Sequence, residues 1–239
     1  MTKVAQVSDD TGFNGERPAD RITQGLLRLN TAMRNRAWNW AEGAGLTPTQ
    51  GEILMLLAQR KAALRLNDIA RETALTAATT SDAVSTLEEK GLVEKRRAVD
   101  DRRALAVKLT ARGRTAAKRA AQWPGFVSGA LVSLRDEEQI ALYSGLFKLI
   151  RELEIQGTMP AHRMCGTCRW FETDAGSDGA SRRGTARTTK TKASAGEATF
   201  RCSTLAQPLD RSSLRLDCLA YEAADAQTQA RHWKVLKQA

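Results

Sequence analysis

The order of apolar and polar positions divides the chain into a run of helical segments and one alternating segment. From Asp20 to about Glu42, the residues Ile22, Leu26, Leu29, Met33, Ala37 and Trp40 recur at three- and four-residue spacing, which predicts a helix with one apolar face. A second helix opens in LTPTQGEILMLLAQ, where Thr47 can cap, Pro48 suits the first turn and Gln50 can complete a capping box. A short third helix is expected from Asn67. Ala74 and Leu75 then make a tight connection to a fourth helix, capped by Thr76, which buries Val84 and Leu87 and stops at Gly91. Residues 92–97 and 104–109 have strand character, the second alternating at Leu105, Val107 and Leu109, with Val99, Asp100 and Asp101 as the turn between them. From Thr110 a basic helix runs toward Trp123, where Pro124 and Gly125 bend or break it, and an apolar continuation reaches about Leu134. A last long helix spans Asp136 to about Ile155 with the stripe Ile140, Tyr143, Phe147, Ile150 and Leu153. Such stripes are mostly core or partner-helix surfaces, and together they suit two interleaved subunits.

The pattern changes at both ends. Residues 1–18 are polar, rich in Gly and Asp, and without periodicity, as expected of a disordered terminus. After Gly157, residues 174–199 contain 18 Ala, Gly, Ser or Thr among 26, so this flexible insert cannot bury a core of its own. Ordered character resumes over 200–221, and a polar helix near 223–237 closes the sequence. The division this predicts is 1–18, a main unit over 19–157, and a C-terminal module over 158–239 containing the insert.

Charge adds a location. The net charge is +10 over 239 residues, but residues 90–119 carry 11 basic and 3 acidic side chains, so eight of the ten excess charges fall in thirty residues. A concentration of this kind suits a phosphate backbone, because each Lys or Arg laid on a duplex releases condensed counterions; a solvated basic face is the plainer reading. No apolar run is long enough for a membrane span, and the first residues lack an apolar signal region, which predicts a cytoplasmic protein with no membrane partner.

The order helix, helix, short helix, turn, helix, two-stranded hairpin, long helices is that of a winged helix-turn-helix inside a helical frame. The segments LTPTQGEIL (residues 46–54), LNDIARETALTAATTSDAVSTLEEKGLVEK (66–95) and DDRRALAVKLTARG (100–113) resemble the MarR family of bacterial transcription regulators, and the likeness spans about residues 20–155. The resemblance implies a mainly α fold with a small β-hairpin wing. It also implies a homodimer whose terminal helices interlock, with recognition helices in successive major grooves of a double-stranded DNA operator and wings on the flanking minor grooves. The family pattern would have Asp101 orient Arg103 so that its guanidinium enters the minor groove, with Arg96, Arg97 and Arg102 on phosphates, joined by Arg112 and Arg114 if the next helix faces the duplex. On the recognition helix the exposed positions are expected to be Ala77, Thr79, Thr80, Ser81, Asp82, Ser85 and Thr86. The family often places arginine among them. Its absence here removes bidentate guanine readout, so sequence readout is expected to lean on the wing and on DNA shape. Many relatives bind small aromatic acids between the dimer helices and the DNA-binding lobe, where Trp38, Trp40 and Met55 are lining candidates or plain core residues.

Cys165, Cys168, Cys202 and Cys218 make a second chemical signal. Thiolates two residues apart can meet one metal because the intervening turn points both sulfurs inward, and two more complete a tetrahedral set. The second pair, fifteen residues apart, needs the fold to bring it together. Zinc is the first expectation and an iron–sulfur cluster the alternative, since CGTCRWF, RCSTLAQPL and LDCLAY are similar in ligand order to high-potential iron–sulfur proteins. His162 is a further ligand candidate or an exposed linker histidine. Enzyme function is disfavoured: the two histidines, His162 and His232, fall outside the main core, and no HExxH, Walker loop or nucleotide-binding glycine fingerprint occurs. The expectation is a sequence-specific dimeric repressor with a metal- or redox-responsive module and a small-molecule effector. The competing class is a nonspecific nucleic-acid-binding or scaffold protein with a structural zinc site.

Overall fold

The computed structural model describes residues 17–60, 62–97, 105–173 and 200–238. The expectations for residues 1–16, the hairpin turn and the 174–199 insert therefore lie outside the described residues, while Pro18, expected in the disordered terminus, already opens a helix. Helix α1, Pro18–Gly43, starts on a proline in its first turn and ends where the chain turns through Gly45 at φ +64°. Helix α2, Pro48–Arg60, is closed at its start by the reciprocal box foreseen in the sequence: the Gln50 amide donates to Thr47 Oγ1 and the Thr47 amide to Gln50 Oε1, both at 3.2 Å. A two-residue strand β1, Leu64–Arg65, precedes helix α3, Leu66–Glu72.

The turn between α3 and helix α4, Ala77–Glu89, holds Ala74 at φ +54°, a left-handed conformation in which its Cβ is strained. Thr76 caps α4 by accepting from the Thr79 amide at 3.1 Å. Strands β2, Val93–Arg97, and β3, Leu105–Leu109, pair antiparallel with Lys95 opposite Val107, and β1 adds to the far side of β3 with Leu64 opposite Val107. This third strand escaped the sequence reading because two residues carry no alternation.

Helix α5, Ala111–Ala120, is capped by Thr110, whose hydroxyl accepts from the Gly113 amide and donates to the Gly91 carbonyl. Gly113 is fixed by contact: a Cβ there would stand 1.8 Å from the Leu92 carbonyl oxygen. One core results, with Ile53, Leu54 and Leu57 of α2 surrounded by Ile69, Val84, Leu87, Val93, Val107 and Ala117. Each such aliphatic side chain gains about 1.5–3 kcal/mol over its exposed state.

Helix α6, Gly125–Leu131, and helix α7, Asp136–Ile155, follow. The C-terminal module is built on α7. It comprises a 3₁₀ turn at Cys165–Thr167, a small antiparallel sheet of β4, Phe171–Thr173, β5, Phe200–Cys202, and β6, Gln207–Leu209, and helix α8, Ala226–Gln238. Phe147 of α7 enters the module's core among Met164, Phe171, Phe200, Leu214, Trp233 and Leu236, stacking on Trp233 with ring centroids 5.5 Å apart. Among the described residues no helix is long and apolar enough to cross a membrane.

Candidate nucleic-acid interface and cysteine cluster

The periodicity of α4 sorts its side chains. Val84 and Leu87 face the core, and so does Thr80, which is fully buried with its hydroxyl donating to the Thr76 carbonyl at 2.9 Å. Thr80 therefore leaves the set of expected duplex contacts. It lies four residues before Val84 and seven before Leu87, and that spacing was the overlooked signal. Ala77, Thr79, Ser81 and Asp82 are exposed on the outer face, while Ser85 and Thr86 are half-buried. Two hydroxyls are engaged within the helix: Thr79 exchanges a hydrogen bond with Thr76 at 2.8 Å, and Thr86 donates to the Asp82 carbonyl.

Ser85 has a role that sequence reasoning missed. Lys95 of β2 reaches across, its Nζ donating to Ser85 Oγ at 3.0 Å and lying 3.0 Å from a Glu88 carboxylate oxygen, while the Lys95 amide also donates to Glu88. The side-chain bond from Lys95 is the main cause that holds the Glu88 carboxyl below its ordinary pKa. The wing strand is thereby tied to the outer half of α4. Beyond this tie, Arg96 is exposed and paired to Glu94 at 3.0 Å, and Arg97 is exposed at the end of β2. Asp101, Arg102 and Arg103 lie outside the described residues. Arg112 and Arg114 are exposed on α5, with Arg114 Nη1 also donating to the Leu109 carbonyl.

Residues 44–104 match a family model described as MarR family. Over this stretch the chain is similar to the MarR family, within a winged-helix fold. Among solved structures, the fold is similar to Staphylococcus aureus MepR in a DNA complex, at 26% identity and a TM-score of 0.50 over 55% of this chain and 97% of that one. It is also similar to S. aureus MepR in a DNA-binding conformation, at 25% identity and a TM-score of 0.50 over 55% and 98% of the two chains. A probable transcriptional regulator from Pseudomonas aeruginosa shares 31% identity over 56% of this chain and 99% of its own, with a TM-score of 0.46. No protein of curated function matches the chain. These structural neighbours cover little more than half of this chain.

Trp40 and Met55, expected to share one crevice, line different clefts. Trp40 lies against Gly51 and faces a cleft with Lys90, Arg112 and Arg119, whereas Met55 borders a cleft between α2 and the C-terminal module. Trp38 stays 59% exposed.

The four cysteines come from three separate places: the 3₁₀ turn and the residue after it, strand β5, and the loop before α8. Two backbone bonds bring the first and last together: the Cys165 amide donates to the Arg215 carbonyl at 2.9 Å, and the Cys218 amide to the Arg163 carbonyl at 3.0 Å. Strand pairing sets Cys202 opposite Phe171, three residues from Cys168. Cys168 and Cys218 are buried, and the four are unbridged thiols. Donors face two of the sulfurs, the Arg215 amide 3.2 Å from Cys165 Sγ and its guanidinium 3.9 Å from Cys218 Sγ. Burial is the main cause that pushes the Cys165 thiol up to about 11, with the charges of Cys218, Cys168 and Cys202 adding to it. Among the described residues no three His, Cys, Asp or Glu side chains form a ready-made cage for one ion. His162 is anchored elsewhere, its Nδ1 2.9 Å from Glu154 Oε1.

Proposed function

We propose that this protein is a dimeric, sequence-specific DNA-binding transcription repressor of the MarR type, carrying a C-terminal thiolate metal module. The observation that carries the DNA-binding reading is the tie made by Lys95. It presents the outer face of α4 and the basic strand β2 as one surface, as a reader of a major groove and its neighbouring minor groove requires. The resemblance adds Asp101, Arg102 and Arg103 at the wing tip, beside Arg96 and Arg97. MepR, solved with DNA, gives the precedent for such a domain on a duplex.

Dimerisation is supported by α1. Of its 26 residues only Ala41 is buried, while Ile22, Leu27 and Leu29 are more than half exposed. The second copy is the partner that the family resemblance supplies, and Ile140, Leu142, Leu149 and Ile155 on α7 extend the uncovered apolar surface. A duplex selected from a random pool by the full-length protein tests this reading. It should be a pseudo-palindrome with half-sites about one helical turn apart, and Arg103→Ala should weaken binding by about 1–3 kcal/mol. A selected pool without sequence preference identifies the protein as a nonspecific binder instead.

The metal reading rests on the thiols. Without a metal, burial disfavours the thiolate of Cys165. A thiophilic cation would reverse that balance, and the Arg215 donors suit sulfurs that carry negative charge. Cys165, Cys168, Cys202 and Cys218 would hold the centre, zinc or an iron–sulfur cluster. Metal analysis of anaerobically purified protein distinguishes the two: one zinc per chain, or iron with acid-labile sulfide. Protein that holds neither metal overturns the reading.

A further inference from the structure

The two halves of the chain meet at a closed ring of charges. Arg60, the last residue of α2, has a side chain only 9% exposed; its Nε donates to Glu72 Oε2 at 2.7 Å, its Nη2 also bonds Glu72, and its Nη1 donates to Asp217 Oδ2 at 2.6 Å. Arg163 closes the circuit, with Nη2 3.6 Å from Glu72 Oε1 and Nε 3.9 Å from Asp217 Oδ1. Two guanidiniums and two carboxylates alternate. Burial works against the Arg60 charge, and the bonds to Glu72 and Asp217 outweigh it, so its pKa is raised.

The positions of these four residues in the chain give the ring its meaning. Glu72 is the last residue of α3, and the turn through Ala74 to α4 begins directly after it. Asp217 precedes Cys218, and Arg163 stands two residues before Cys165. The Arg163 carbonyl accepts the Cys218 amide, so the backbone that places the two thiols also places the two charged side chains of the module. The segment carrying Arg163 is itself pinned to α7, because the Glu154 carboxylate accepts from the His162 amide at 2.7 Å. A shift of the Cys165 and Cys218 loops thus has a short route to the helix-turn-helix: through Asp217 and Arg163 to Arg60 and Glu72. Buried charges without their partners are costly, so α3 must follow the module or lose the pairing.

We propose that the ring Arg60–Glu72–Arg163–Asp217 transmits the loading of the four-cysteine site to the helix-turn-helix, so that the metal-loaded module holds α3 and α4 ready for DNA. The proposal rests on the thiolate-metal reading above. Loading fixes the Cys165 and Cys218 loops, fixed loops hold Asp217 and Arg163, and those hold Glu72 at the end of α3. Emptying the site loosens the ring and the turn, and the ordering of that turn is then charged to DNA binding.

The experiment uses full-length protein purified without oxygen, with its metal content measured, and the duplex that this protein selects from a random pool. Affinity is read with the metal bound and after its removal under reducing conditions. The parent should bind at least fivefold more weakly once emptied. Arg60→Met and Asp217→Asn should retain the metal, keep the parent's helical signal, and bind DNA with affinities that differ less than twofold between the two states. Asp217→Glu, which keeps the charge, should restore the difference. A parent that carries no metal overturns the thiolate reading and the relay with it. A metal-bearing parent with equal affinity in both states overturns the relay alone. Variants as responsive as the parent show that the ring is not the route, which also overturns it.

Discussion

Single side chains at helix starts do much to specify this fold, and they were readable in the sequence. Thr47, Thr76 and Thr110 each sit before a helix and, with Gln50 in the first turn of α2, satisfy amides that would otherwise lack partners. Thr76 also opens the proposed DNA-reading helix. Thr76→Ala should cost about 0.5–2 kcal/mol in denaturant unfolding and weaken duplex binding beyond what the stability loss explains. Thr80 was misread because a threonine looks polar in a list of residues; its hydroxyl is satisfied by its own helix, which lets the rest of the side chain serve the core. Gly113 illustrates what a sequence cannot display, because its constraint is the Leu92 carbonyl arriving from another element. Gly113→Ala should destabilise by about 1–3 kcal/mol or more, seen as a lower denaturation midpoint.

Whole elements were legible where their period was long. The span of α7 agrees with its stripe, and α5 and α6 break at Pro124 as expected. The small sheet of the C-terminal module was not legible, since three-residue strands give no alternation to count. Helix α8 looked polar, yet it docks through His232, Trp233 and Leu236. His232 is the weak point of that docking. Its Nδ1 is buried without a partner among the described residues, and burial is the main cause that pushes its pKa below the ordinary 6.5, against the pull of the Gly166 backbone, with Arg231 lowering it further and Asp225 raising it. The undocked helix binds the proton more readily than the docked one, so stability is complete above pH 6.5 and falls as the pH drops below it. Thermal melts between pH 8 and 5 should show this decline. The decline should be shallower in His232→Phe, and equal slopes in the two proteins would remove His232 as its cause.

At the level of the molecule, the apolar stripe of α1 stays exposed along much of its length, and the spacing of its residues announced it. Ile22→Asp combined with Leu29→Asp should shift the protein toward monomer in sedimentation and cut affinity for a two-half-site duplex at least tenfold. A dimer that persists unchanged would remove α1 from the interface. The ion ring was invisible at this scale for a plain reason: Arg60 and Asp217 are 157 positions apart, and charged residues on polar turns look like ordinary solvated surface until the two halves are seen together.

The small sheet beside the cysteines has one further consequence. Thr173 and Phe200 are paired across β4 and β5, so the 26 residues between them leave and re-enter the module at neighbouring points. Such a junction behaves like a socket: the two lips are held by hydrogen bonds whatever is plugged between them. Trimming the 26 residues to a six-residue hairpin loop shortens the chain that must be closed, an entropic gain of about 1.3 kcal/mol. A fluorescent protein or an affinity handle spliced there should leave metal content and DNA binding as they were, giving an observer's window onto the working molecule.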